Sequence, residues 1–150
     1  CGLDPGIYHM SAMRIIHDVE NRVGKVLSFK SSTGALPAHE ANTNPFGYKF
    51  SWAPRGVLQA SRNGGRYLLD RREIEVQPER LFRDMHVLPM GDIGDYEAYP
   101  NRDSLTYLDH FDLDEVRTMI RGTLRHQGYC EEDRGMHPCL PWLVSDLNTI

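Results

Sequence analysis

Apolar residues recur along this chain at two periods, and the switches between them mark out its elements. Over 8–22, Met10, Met13, Ile16 (or His17) and then Val23 repeat at near-helical spacing, and Gly24 stands where a helix would stop. Residues 25–31, KVLSFKS, alternate polar and apolar side chains as a half-buried strand does. Residues 55–68 read as a second helix, with Val57, Leu58, Ser61 and Arg62 near one face and Gly64-Gly65 weakening its last turns. YLLDRREIEV predicts a hairpin around Asp70-Arg71-Arg72. Residues 78–83 predict a short helix with proline in its first turn. Residues 85–88 and 95–99 predict strands joined by a glycine-containing turn. Residues 103–111 predict a short helix with an acidic or serine cap. VRTMIRGTLRHQ, over 116–127, alternates for most of its length and predicts a strand. The tail from Cys130 is irregular, with Pro138 and Pro141.

The stretch from Thr33 to Pro54 follows neither period. It mixes Gly34, Pro37, Pro45, Gly47 and Pro54 with Phe46, Tyr48, Phe50 and Trp52. Loops of that length are functional or disordered, and the aromatic content argues for an ordered loop closing over something. Helices and strands intermingle without a repeat. The pattern predicts an α+β fold, a mixed and largely antiparallel sheet with helices packed on one face.

Composition narrows the function. The 150 residues carry 17 Lys plus Arg against 21 Asp plus Glu, a net charge of −4, which argues against a nucleic-acid or anionic-membrane binder. No apolar run approaches the roughly 20 residues that span a bilayer. Three cysteines do not suggest a disulfide scaffold, so the cytoplasm is the expected compartment. The opening CGLDPG lacks both an initiator Met and a basic leader, which leads us to expect a piece of a longer protein. No G-x-G-x-x-G is present, so a dinucleotide-binding domain is not expected in this stretch.

Three stretches carry candidate chemistry. In Gly2-Leu3-Asp4-Pro5-Gly6, Asp4 either presents its carboxylate to a cation or makes an Asx turn into the helix. In Tyr99-Pro100-Asn101-Arg102-Asp103-Ser104, Arg102 sits at a strand-to-helix junction, where it either grips a ligand carboxylate or pairs with Asp103 or another surface acid. In Arg121-Gly122-Thr123-Leu124-Arg125, period two puts Arg121, Thr123 and Arg125 on one face. That face is either an anion-binding row or a solvated surface with cross-strand ion pairs. Taken together, Asp4, Arg102, Arg121 and Arg125 match a ligand with carboxylates and an amino group, an amino acid or a conjugate of two. Cys130, His137 and Cys139 lack paired C-x-x-C spacing and a clear fourth ligand, so no metal is expected. The aromatics of the long loop either stack on a cofactor ring or pack in the core.

These stretches resemble the saccharopine dehydrogenase family, in its NADP-dependent, L-glutamate-forming branch. The resemblance lies in GLDPGIYHM, GALPA, NPFGYKFSWAPRGVL, AYPNRDS and RGTLR followed by Gln127-Gly128, in the family's order. It implies a substrate-binding and dimerisation domain over 1–150, with a Rossmann domain upstream that binds NADP. It also implies a reaction of lysine metabolism: glutamate and α-aminoadipate semialdehyde condense to an imine, and hydride transfer gives saccharopine. By motif, Asp4 would hold an amino group, Arg102 a carboxylate, and Thr123, Leu124 and Arg125 would line the same site. Trp52 and Ala53 would approach the cofactor, and His9 and Lys49 are candidate proton carriers. The chain by itself is expected to be inactive, and a homodimer is expected of the whole. Tyr8 departs from a common Asp, Thr33 from a common Cys and Ala53 from a common Ser. These departures keep open a relative that joins a different amine and aldehyde, or a non-catalytic amino-acid-binding module.

Overall fold

The computed structural model describes residues 2–44, 47–60 and 62–131. In chain order the elements are α1 (Ile7–Val23), β1 (Ser28–Thr33), α2 (Pro54–Ala60), β2 (Gly65–Leu69), β3 (Arg72–Val76), β4 (His86–Pro89), β5 (Asp95–Pro100), β6 (Arg102–Asp103), α3 (Thr106–Phe111) and β7 (Thr118–His126). Short 3-10 turns lie at His39–Ala41, Pro78–Arg80 and Gly91–Ile93.

β7 organises the sheet. One of its edges takes β1 in parallel, with Ser31 opposite Arg121 and Thr33 opposite Thr123. The other edge takes β2 antiparallel at Met119 and β5 antiparallel from Gly122 to His126. β3 and β4 complete the antiparallel part, and β6 joins β2 in parallel. The result is the expected α+β class with a mixed, largely antiparallel sheet.

α1 and α3 share one face of it. Ala12 and Ile16 of α1 are buried with Phe111, Leu113, Val116 and Met119, and Phe29 and Leu68 pack against them. Side chains at i and i+4 stack on a helix, so Tyr8, Ala12 and Ile16 form the inward stripe. Met10 and His17 of the predicted stripe face solvent instead. Spacing alone fits more than one face of the helix, and the partner surface selects among them.

The predicted second helix is the clearest correction. α2 ends at Ala60, and Gly65–Leu69 is a strand. A Cβ on Gly64 would lie 2.5 Å from the Val76 carbonyl oxygen, and one on Gly65 would lie 2.6 Å from the Pro100 Cβ. The two glycines therefore mark a close crossing of backbones rather than a frayed helix end. The hairpin does form around Asp70-Arg71, whose φ values of 48° and 67° make the primed turn that matches strand twist. Thr106–Phe111 is shorter than the predicted helix, because Asp103 joins β6 and its carboxylate accepts the Leu105 N–H.

A second buried cluster joins Val76, Leu81, Phe82, Tyr99 and Cys130. Cys130 therefore lies in a core, while His137 and Cys139 lie outside the described residues. No helix among the described residues is long and apolar enough to cross a membrane.

Candidate functional site

The loop before α1 folds back on itself through Gly2 N–H to the Pro5 carbonyl at 3.1 Å and Ile7 N–H to the Gly2 carbonyl at 3.0 Å. Gly6, at φ 145°, supplies a backbone conformation that a side chain would strain. This turn carries Asp4 over β7, where Arg121 Nη2 donates to Asp4 Oδ2 at 2.6 Å. Arg121 Nε donates to the Tyr8 hydroxyl at 3.2 Å. The guanidinium carbon lies 3.8 Å from the centroid of the Tyr107 ring and 4.8 Å from that of Tyr8. Each such ring contact is worth about 0.5–2 kcal/mol. The Arg121 backbone N–H donates to Ser104 Oγ at 2.9 Å, and Ser104 is fully buried. His9 stacks on the far side of this group, 5.2 Å from Tyr107, while its Nδ1 accepts the Gly6 N–H.

Burial pushes the Tyr107 phenol up from its ordinary value; Arg121 and Arg102 pull it down, and Asp4 and Tyr8 push it up. Tyr107 thus stays neutral at working pH. Arg102 is exposed, at φ 53°, an unusual backbone conformation for a residue with a side chain. It is flanked by Asn101, whose N–H donates to the Arg121 carbonyl at 2.8 Å. The Arg102–Asp103 pair weighed from sequence is not formed: Arg66 holds Asp103, at 3.3 Å. Among the described residues, Arg102 makes no ion pair.

Arg125 occupies a different setting. Its guanidinium carbon lies 4.9 Å from the ring centroids of Tyr48 and Tyr129 and 5.9 Å from that of Tyr99. Burial alone would pull this guanidinium down, yet the Tyr99, Tyr129 and Tyr48 phenols and a hydrogen bond to Tyr129 hold it up. Nη1 donates to the Leu124 carbonyl at 3.3 Å. Arg125 Nε and the Tyr48 hydroxyl are buried without a hydrogen-bond partner among the described residues. Asn44 Nδ2 donates to the Tyr48 carbonyl at 2.8 Å and so fixes Tyr48 in the long loop. The Glu97 carboxylate accepts the Gly128 and Cys130 N–H groups, both at 2.8 Å, and fixes the turn that carries Tyr129.

The predicted row on β7 therefore divides. Arg121, Thr123 and Arg125 do share a face, but the two guanidinium groups stand apart, with about 13 Å between their Cα atoms at strand spacing. Arg121 is neither a free anion binder nor part of a solvated face, because it is buried against Asp4. Leu124 points to the opposite face, where it lines a groove of about 470 Å³ with Lys30, Ser32, Tyr67, Leu88 and Ile120. Asp4 meets the cation foreseen as one alternative, and that cation is the protein's own. Lys49 is exposed and makes no contact with the Asp4 cluster among the described residues. Trp52 and Ala53 are exposed, and the Trp52 ring covers Gly56, where a Cβ would lie 2.4 Å from it. Sequence reasoning missed Tyr107 and Ser104. The available signal was an aromatic residue one turn into the helix after Arg102, three positions beyond a serine.

Comparisons with known proteins identify the family of the chain. The sequence profile of the saccharopine dehydrogenase C-terminal domain matches residues 2–145. Saccharopine dehydrogenase [NADP(+), L-glutamate-forming] of Schizosaccharomyces pombe is 38% identical, over 94% of this chain and 35% of that protein. The enzyme of that name from Saccharomyces cerevisiae is 45% identical, over 87% of this chain and 29% of that protein. A solved structure of the apo, L-Glu-forming saccharopine dehydrogenase from Saccharomyces cerevisiae superposes with a TM-score of 0.80 at 45% identity, over 87% of this chain and 29% of that one. The chain thus spans about a third of the length of these relatives. On the profile match and these identities, the chain belongs to the saccharopine dehydrogenase C-terminal domain family.

Proposed function

We propose that this chain is the substrate-binding domain of an NADP-dependent saccharopine dehydrogenase acting in lysine metabolism. The observation that carries the reading is a carboxylate anchored on Arg121, Asp4, with an exposed arginine, Arg102, that makes no ion pair among the described residues and adjoins Asn101, whose N–H donates to the Arg121 carbonyl. Asp4 suits a substrate ammonium, and Arg102 a substrate carboxylate through two parallel hydrogen bonds. Arg125 with Thr123 stays in the proposal as a second carboxylate contact, since buried Arg125 Nε and the Tyr48 hydroxyl lack hydrogen-bond partners among the described residues.

In the proposed reaction, glutamate and α-aminoadipate semialdehyde lose water to form an imine. The imine carbon accepts a hydride and its nitrogen a proton, giving saccharopine. NADPH supplies the hydride. Phe50 and Trp52, 56% and 49% exposed, fit the flat nicotinamide end of a dinucleotide. The chain has no glycine-rich fingerprint for the phosphates, so these fall to a Rossmann domain elsewhere in the intact protein. The domain's own contribution is to orient the amine and neutralise carboxylates. His9 has Nδ1 engaged by Gly6, which leaves Nε2 as the ring nitrogen available to move a proton. Pairing of two copies and a cytoplasmic location belong to the same proposal; light scattering and fractionation of the intact protein test them.

The test is NADPH consumption by the intact protein with glutamate plus α-aminoadipate semialdehyde, and the reverse reaction with saccharopine and NADP. Arg102→Ala is expected to raise the KM for saccharopine by about tenfold or more with a smaller change in kcat, as loss of a charged ground-state contact does. An unchanged KM removes Arg102 from the site. The isolated chain is expected to show no turnover; measurable turnover overturns the division of labour.

A further inference from the structure

In the function proposed above, Asp4 meets a substrate amine. A carboxylate on a glycine-flanked loop cannot orient itself, so something must hold it. Arg121 is more deeply buried than the residue it pairs with: its side chain is 7% exposed, against 21% for Asp4. Its donors are divided between Asp4 Oδ2 and the Tyr8 hydroxyl, and its plane is covered by the Tyr107 and Tyr8 rings. Its backbone is fixed in β7 by Ser104. The parts that hold Arg121 thus come from β7, α1 and the start of α3, while Asp4 comes from a turn. Asp4 Oδ1 accepts no hydrogen bond among the described residues, and Asp4 is the exposed member of the pair.

We infer that Arg121 is a positioning residue. It pins one oxygen of Asp4 so that the other is left for the substrate amine, and it does not itself bind a substrate carboxylate. Tyr8 and Tyr107 hold the guanidinium plane and so set the direction of the pin. A fork-shaped cation suits this role best, because its donors are held in a fixed plane toward two acceptors at once.

The inference rests on the proposed function, and a double-mutant cycle in the intact protein separates the two. Asp4→Asn and Arg121→Met should each lower kcat/KM for saccharopine by about ten- to a hundredfold. The double variant should be no worse than Asp4→Asn alone, because Arg121 acts only through Asp4. Arg121→Lys, which keeps the charge and the fold, should recover part of the loss, while its combination with Asp4→Asn should again match Asp4→Asn. Losses that multiply in the double variants, while the wild type turns over saccharopine, would mean that Arg121 binds substrate directly and would overturn the inference. A wild type that neither turns over nor binds saccharopine defeats the proposed function, and this inference with it.

Discussion

Arg121 and Arg125 lie on one strand, on one face, and are buried to nearly the same degree, at 6% and 8% exposure. Their surroundings differ in kind. Arg121 has a formal counter-charge, a carboxylate brought from 117 residues away, with Nη2 donating to Asp4 and Nε to Tyr8. Arg125 makes no ion pair among the described residues; it rests on the faces of Tyr48, Tyr99 and Tyr129 and keeps one buried donor without a partner. A buried cation must be compensated, and the two sites show that a carboxylate or a set of ring faces and hydrogen bonds can do it. The first site balances its charge within the chain. In the second, Arg125 Nε is buried without a hydrogen-bond partner among the described residues.

The comparison can be broken most forcefully at Arg125. Arg125→Ala removes the side chain that fills the tyrosine cage as well as its charge, and should destabilise the domain by about 3 kcal/mol. Arg125→Met, which fills much of the same space, should cost roughly half as much. Urea unfolding of both variants reads the difference; equal losses would mean that the charge, not the packing, matters there. On the other side, Asp4→Ala leaves Arg121 buried without its carboxylate and should cost about 2 kcal/mol, less than a fully buried pair because Asp4 is partly exposed. Asp4→Ala combined with Arg121→Met should cost less than the sum of the single changes. A strictly additive pair would show that the two groups do not interact in solution.

Local signals served well where one element decided its own form. Alternation over 118–126 placed β7 and its faces, and the Asp70-Arg71 turn followed from charged residues between apolar runs. Failure came wherever a distant neighbour decided. Gly64 and Gly65 read as a weak helix end because the Val76 carbonyl and Pro100, which require them, lie far along the chain. Arg121 read either as part of an anion-binding row or as part of a solvated face, because the carboxylate that covers it sits at the opposite end of the sequence. The family motifs drew attention to Asp4 and Arg102; the structure sets Asp4 on Arg121, and Arg102 next to Asn101, which donates to the Arg121 carbonyl. No motif pointed to Tyr107 itself, since an aromatic residue on a short helix is usually core. Tyr48 was visible only as part of an aromatic loop, and its place over Arg125 depends on a turn held by Asn44.

The smallest effect sharpens the comparison by titration. Burial, the largest influence, raises the Tyr107 phenol above its ordinary value of 10.0. Well below pH 10.0 the phenol is protonated in both folded and unfolded chains, and its contribution to stability is constant. Above that, the unfolded chain loses the proton first, so the folded state binds more protons and stability falls as pH rises. Tyr107→Phe has no such proton. The stability difference between the wild type and Tyr107→Phe should therefore be flat up to about pH 9 and shift against the wild type by about pH 11. Thermal unfolding across that range measures it. A difference that stays flat throughout would show that the ring over Arg121 is open to solvent, and the clamp that distinguishes Arg121 from Arg125 would lose its tighter side.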